Sequence, residues 1–302
     1  MRKRNIFILI LIGLGFIWVL FYLPVFTHVE KKTFPLKTGR LMELLIMPVN
    51  YDRWMNKTLR QMYHDRVLNI STMGTSMAIY TIRKKSKTKR FLISAQPAKT
   101  SEAKTDLHLS FKASLWQKMI GFNEEQTAMV NSFGKLENLV KSPLAFYGYD
   151  IHEAKVPDST FLYYAITTTN KDRQKTMQKI FEVLIDYAEQ KNAGFNGKRI
   201  FHFTREGDDS IRLYGSIGIN HPETIPNNSP FPLKRMPFGK NLLVTPFEGP
   251  YMRVEQAYAA IEQFKLDHQY ISMAIPYHRI TAPELSLADS TITRLEVCYP
   301  VY

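Results

Sequence analysis

The sequence predicts an α+β protein with an N-terminal transmembrane helix, and three observations carry that expectation. An uncharged apolar run opens the chain, strand-like and helix-like periods then alternate, and a strand–helix–strand–strand order occurs twice in the second half. At 302 residues the chain is long enough for two domains of ordinary size. Hydrophobic content of 45%, with 13% aromatic residues, fits packed cores, and no long low-complexity segment interrupts them.

Residues 1–5 hold Arg2, Lys3 and Arg4, a basic tag, and residues 6–26 follow without a charge. At about 1.5 Å per residue in a helix, such a run spans the roughly 30 Å hydrocarbon core of a bilayer. Trp18, Phe21 and Tyr22 stand near its far end, where aromatic rings suit the headgroup boundary. A cleaved signal peptide is the alternative, but the run exceeds the usual apolar region of one and no small-x-small site follows Phe26. The basic tag predicts a cytoplasmic N-terminus and a body on the periplasmic or external side of a bacterial cytoplasmic membrane. Residues 27–40, polar with Pro35 and Gly39, read as a tether. A single cysteine, Cys298, rules out an intramolecular disulfide and reads as a small core residue.

Residues 41–142 read as a small α+β domain. Its elements in order are a strand at 41–48, a helix at 50–64 with Trp54, Leu59 and Met62 on its buried side, and strands at 76–82, 91–95 and 106–112. A helix at 124–140 closes it, with Met129, Phe133, Leu136 and Val140 at helical spacing. The net charge of +13 includes the run 83–90, Arg-Lys-Lys-Ser-Lys-Thr-Lys-Arg, which reads as a hairpin tip. Such a tip either meets anionic lipid headgroups or stays solvated and keeps the hairpin edge from pairing with other chains. Nucleic acid is disfavoured as a partner by the predicted compartment, despite the charge. The order of elements resembles a helix-grip domain of the polyketide-cyclase/START-like kind, although 66–116 is short for a complete grip. Lys141-Ser142-Pro143 marks the boundary to a second domain at 143–302.

That second domain holds two repeats, at about 150–220 and 233–302. Val156-Pro157 stands opposite Met236-Pro237, and a strand at 161–166 opposite one at 241–245. Each strand leads to a helix. Met177, Ile180, Phe181, Leu184 and Ala188 share one face of the first, and Val254, Ala257, Tyr258 and Ile261 one face of the second. Two further strands follow in each copy, at 199–204 and 210–219, then at 270–277 and 291–301. A lone copy would leave one sheet face bare, so the two copies are expected to pack together with an antiparallel sheet.

Phe247-Glu248-Gly249-Pro250-Tyr251, the pair Ala257-Tyr258 and the closing Pro300-Val301 occur in the order typical of one family. By these motifs the region from about 146 to 302 resembles the gyrase-inhibitor-like domain, the effector-binding module of AraC-type and multidrug-sensing bacterial regulators. The resemblance implies a small-molecule cleft between the two copies. Many members carry a Glu two residues before the Tyr retained here as Tyr277; this chain has Ile275 there, which weakens both cation recognition through that Glu and hydrolysis. No helix-turn-helix precedes the domain, which argues against a DNA-binding regulator.

The chain shows no phosphate loop, HExxH, paired-cysteine zinc motif, dinucleotide fingerprint or nucleophile elbow, so no catalytic residue, metal or cofactor is expected. The eight histidines are scattered, and His202 and His278 fall on strand patterns as structural residues. The candidate ligand-binding set is Tyr164 (or its neighbour Tyr163), Tyr214, Phe247, Tyr251 and Tyr277, with Glu296 as the acidic member. Aromatic walls with few polar groups suit a small hydrophobic or weakly cationic molecule, although aromatic residues on strands also serve as plain core. The leading expectation is therefore a non-enzymatic, membrane-anchored sensor or carrier, with the bilayer held through 6–26. The rivals are an envelope scaffold that contacts another envelope protein without a ligand, and a hydrolase.

Overall fold

A computed structural model describes residues 2–99, 101–272, 274–281 and 292–302, with the side chains of residues 2–10, 20 and 102 outside the description. The chain divides into two compact units, Met1–Ser142 and Pro143–Tyr302. Both are α+β with an antiparallel sheet.

The first unit begins with helix α1 (Arg2–Tyr22), followed directly by strand β1 (Phe26–Phe34). Among the described residues no helix is long and apolar enough to cross a membrane. The expected span at 6–26 thus differs at its far end, where the helix stops at Tyr22 and Phe26 already pairs with Ala113. Its first residues lie outside the described side chains. The expected tether is also replaced: β1 is a full edge strand, and residue 38 opens α2 (Thr38–Ile46). Its alternation of half-buried and exposed positions, ending on buried Phe34, is a strand period hidden by polar residue types.

Residues 41–48 form no strand. Leu41, Met42, Leu44 and Leu45 are buried on one face of α2, a helical spacing that a short apolar run conceals. Helices α3 (Tyr51–Trp54) and α4 (Lys57–His64) follow, separated at Asn56, whose side chain accepts a hydrogen bond from the Leu59 amide as an N-cap. Strands β2 (Leu68–Met73), β3 (Met77–Lys84), β4 (Lys87–Ala98) and β5 (Ser101–Ala113) complete a sheet of order β1-β5-β4-β3-β2. The run 83–90 sits at the β3–β4 hairpin tip, where Lys84 pairs with Lys87. Helices α5 (Leu115–Ile120) and α6 (Glu124–Lys141) each start on a reciprocal capping box, Ser114 with Gln117 and Asn123 with Gln126.

The second unit opens with α7 (Pro143–Tyr147) and β6 (His152–Lys155). The first copy is β7 (Thr160–Thr169), α8 (Arg173–Gln190), β8 (Phe195–Arg205) and β9 (Ser210–Ile219). After β10 (Leu233–Arg235) the second copy follows as β11 (Asn241–Pro250), α9 (Val254–His268), β12 (Tyr277–Ile280) and β13 (Ile292–Val301). The expected strand at 270–277 is confined to a start at Tyr277, and residues 247–250, expected as a turn, extend β11 instead. Residues 282–291, between β12 and β13, lie outside the described residues.

All strands join one antiparallel sheet of order β10-β7-β9-β8-β12-β13-β11-β6. Read from the centre outwards, each copy contributes its second, last and first strand, so the copies mirror each other about the β8–β12 pair. The flanking strands cross over. β6, which precedes the first copy, pairs with β11 of the second, and β10, which precedes the second, pairs with β7 of the first. This exchange ties the copies into one sheet. Helices α8 and α9 both lie on one face, burying Met177, Ile180, Phe181 and Leu184 from α8 and Val254, Ala257, Ile261 and Phe264 from α9. At about 1.5–3 kcal/mol for each large apolar side chain, that face is the principal hydrophobic core of the unit. A smaller cluster of Val156, Phe161, Ile200, Met236, Leu242, Val244, Tyr277 and Cys298 packs on the opposite face.

Candidate functional site

The six candidate residues divide between the two sheet faces. Strand alternation sends Phe201, Phe203 and His278 to the helical face, and Ile200, His202, Tyr277 and Arg279 to the other. Tyr164 is half-buried on the helical side, edge-on to Phe231 at 5.2 Å between ring centroids. Phe247 is buried in the core beneath α9. Tyr214 lies on the opposite face, stacked on His202 with centroids 4.4 Å apart. Tyr277 is buried there too, beside Cys298, and Glu296 forms an ion pair with Arg279. A small hollow of about 70 Å³ borders Tyr277 and Arg279. Among the described residues these six do not share one cleft.

Tyr251 stands in a different position. The chain leaves β11 at Pro250 and makes a 3-10 turn (Tyr251–Arg253) before α9, and this turn sets Tyr251 against the central strands. Its ring lies 6.3 Å from Phe201 and 5.7 Å from His278, and Phe201 stacks on His278 at 4.4 Å. From the second helix, the Tyr258 hydroxyl reaches Nε2 of His278 at 3.2 Å. From the first copy, the Arg173 guanidinium at the start of α8 sits over the Tyr251 ring, 4.5 Å from its centroid. Cation–π contacts of this kind contribute about 0.5–1 kcal/mol at exposed sites and about 2 when desolvated. The cluster therefore joins both helices to the β8–β12 seam.

Above it opens a depression of about 330 Å³ lined by Asn170, Arg173, Phe203, Arg205, Tyr251 and Glu255, among others. Arg205, the last residue of β8, and Glu255, in the first turn of α9, form an exposed ion pair at 3.2 Å on its rim. Exposed pairs of this kind contribute at most about 1 kcal/mol, so this one orients the rim more than it stabilises it.

Two polar side chains of the cluster beneath the depression stand out. Tyr251 is 2% exposed, and its hydroxyl has no hydrogen-bond partner among the described residues; His278 is 1% exposed, with its ring hydrogen-bonded to the Phe201 backbone and to Tyr258. Leaving a buried hydroxyl unsatisfied costs about 1–3 kcal/mol. Burial raises the pKa of both Tyr251 and Tyr258, so both hydroxyls stay protonated near neutrality. Burial lowers the His278 pKa to about 3, so the imidazole is neutral. The base of the cleft is thus aromatic and uncharged, with two arginines and one carboxylate at its edge. Among the described residues no group of three or more His, Cys, Asp or Glu is placed to hold a metal.

Of the sequence-selected set only Tyr251 reaches this depression. Phe203 and Arg173 line it as well, and Phe201, Tyr258 and His278 belong to the ring cluster around Tyr251. The signal for Phe201 and Phe203 was present as two aromatic residues at strand period, on the strand that ends the copy-to-copy seam. Arg173 carried no signal, since an arginine in a first helical turn reads as solvated.

No protein-family profile matches the chain, and no curated protein matches it. Among solved structures, the EcmrR C-terminal domain aligns at 14% identity over 51% of this chain and 98% of its own, with a TM-score of 0.36. SAV2435 bound to tetraphenylphosphonium aligns at 10% identity over 50% of this chain and 93% of its own, with a TM-score of 0.33. An uncharacterized conserved protein from Listeria innocua aligns at 16% identity over 50% of this chain and 92% of its own, with a TM-score of 0.38. At these TM-scores the likenesses decide neither the fold nor the ligand of this chain.

Proposed function

We propose that the second unit is a small-molecule-binding module whose ligand sits in the depression above Tyr251, between the two copies. The observation that carries this reading is that Tyr251 lines an open, aromatic-sided hollow while its own hydroxyl, closed off from solvent, lacks a hydrogen-bond partner, so that a ligand entering the hollow would have to uncover it. A hydrogen-bonding ligand offsets the cost of that group; plain core packing leaves it unmet. The flat rings of Phe203 and Tyr251 suit a planar aromatic molecule. Two arginines against one glutamate on the lining favour a neutral ligand, or one with an acidic edge, over the weakly cationic ligand implied by the sequence resemblance. No nucleophile–base pair lines the hollow among the described residues, so the role proposed is binding rather than turnover.

A scaffold role is favoured by one observation: Phe247, Tyr251 and Tyr277 are all almost fully buried, as core residues are. Membrane attachment through the N-terminal helix, with the body outside the cytoplasm, is part of the proposal and rests on Arg2, Lys3 and Arg4 before the apolar run. Native mass spectrometry of the purified full chain tests the binding reading. A small molecule retained by the wild type and lost from Phe203→Ala is the expected result. Retention that is equal in both chains would place the ligand elsewhere.

A further inference from the structure

A wide pocket of about 1010 Å³ lies in the first unit, and its lining is strongly one-sided in charge. Arg83, Lys87, Lys89, Arg90 and Lys112 line it, with no carboxylate among the lining residues. Lys89 is engaged with Glu125 at 2.7 Å and Lys112 with the Thr27 hydroxyl at 3.0 Å. Arg83, Lys87 and Arg90 form no ion pair among the described residues. Phe91 and Phe111 give the cavity an apolar back wall, and the capping residues Gln117, Asn123 and Gln126 add polar edges.

The surroundings are as unusual as the cavity. Tyr22, Leu23 and Pro24, where α1 ends, form one wall. Tyr22 lies tilted against Trp18 at 5.5 Å and stacks on Trp116 of α5 at 5.9 Å. Helix α5 presents Trp116, Met119 and Ile120 to solvent at 42%, 67% and 64% exposure. Three large apolar side chains on one short helix, beside stacked aromatic rings and a cationic hollow, give the composition of a surface that meets the headgroup boundary of a bilayer. Self-avoidance by a solvated hairpin explains the lysines; it does not explain the exposed apolar helix next to them.

We propose that this corner docks on an anionic bilayer surface, with phosphate-bearing lipid headgroups taken into the basic cavity and Trp116, Met119 and Ile120 in the acyl boundary. The proposal is independent of the ligand cleft in the second unit. Each basic residue near a charged bilayer strengthens attraction about fivefold, and salt screens that attraction.

The test is hydrogen exchange on the full chain combined with lipid nanodiscs of phosphatidylcholine alone or mixed with phosphatidylglycerol. Amides of 83–90 and 115–120 are expected to exchange several-fold more slowly with the anionic lipid, and the difference should vanish at high salt. Arg83→Ala/Arg90→Ala should lose most of that difference while amides in the middle of β5 are unchanged. If this variant misfolds, the salt response of the wild type decides alone. Equal exchange in both lipids would overturn the proposal. So would the same protection from inorganic phosphate without lipid, which would make the cavity a site for free anions.

Discussion

The Tyr258 hydroxyl lies 3.2 Å from Nε2 of His278, and this contact fastens α9 to the central strand β12. Burial keeps the hydroxyl protonated and the imidazole neutral, so the direction of this hydrogen bond follows the imidazole tautomer. The histidine has a pKa of about 3 in the fold against 6.5 when free, so the unfolded chain takes up the proton first. Its contribution is fully present above pH 6.5 and is lost as pH falls towards 3.

Opening of the β8–β12 seam should therefore become easier on acidification, by up to about 1.4 kcal/mol per pH unit below the free-imidazole pKa. Exchange-derived opening free energies for β12 amides check this between neutral and mildly acidic pH. His278→Phe should flatten the slope. A remainder is expected from His202, whose pKa burial and Lys234 lower to about 4. An unaltered slope in the variant would remove His278 from this role.

Gly215 sets how closely α8 approaches β9. A Cβ there would meet Ile180 Cγ2 at 2.5 Å and Met177 Sδ at 3.3 Å, both in the packed core. Gly215→Ala should destabilise the second unit by about 1–3 kcal/mol, the range of overpacked cores. Far-ultraviolet circular dichroism during urea unfolding would read the shift. A neutral Gly215→Ala would mean that α8 sits looser on the sheet than described.

Cys298 is wholly buried against Tyr277, and burial pushes its thiol pKa up to about 12. It should be inert to a thiol-specific chromogenic reagent in the native chain and react fully only on unfolding. Rapid native labelling would show that the opposite-face cluster opens.

The duplicated order was legible in the sequence because both helices carry clean apolar faces: Met177, Ile180, Phe181, Leu184 and Ala188 are all buried on α8. The last strand turns Leu295, Val297 and Tyr299 towards the helices. Residues 41–48 misled because a short, nearly continuous apolar run fits a buried strand as well as a helix. Residues 27–40 misled because an edge strand with one solvated face can be built from lysine, glutamate and threonine. The exchange of β6 and β10 between copies has no local signal at all, since pairing partners lie about a full repeat away. For the site, aromatic identity was readable but facing was not. A single-residue change of register moves a ring to the other side of a sheet, and Tyr214 and Tyr277 lie on the side away from Tyr251.

The Tyr251 hydroxyl offers the most direct test of the ligand-cleft reading. Calorimetric titration of the full chain with two planar dyes, the anionic 8-anilinonaphthalene-1-sulfonate and the cationic proflavine, compares wild type with Tyr251→Phe and with Glu296→Gln on the far face. The account predicts saturable one-to-one binding of the anionic dye, weakened about tenfold by Tyr251→Phe, as loss of one buried hydrogen bond implies. Glu296→Gln should leave it unchanged. Absence of saturable binding by either dye, together with a Tyr251→Phe chain that is only more stable, would contradict the account and make Tyr251 a core residue.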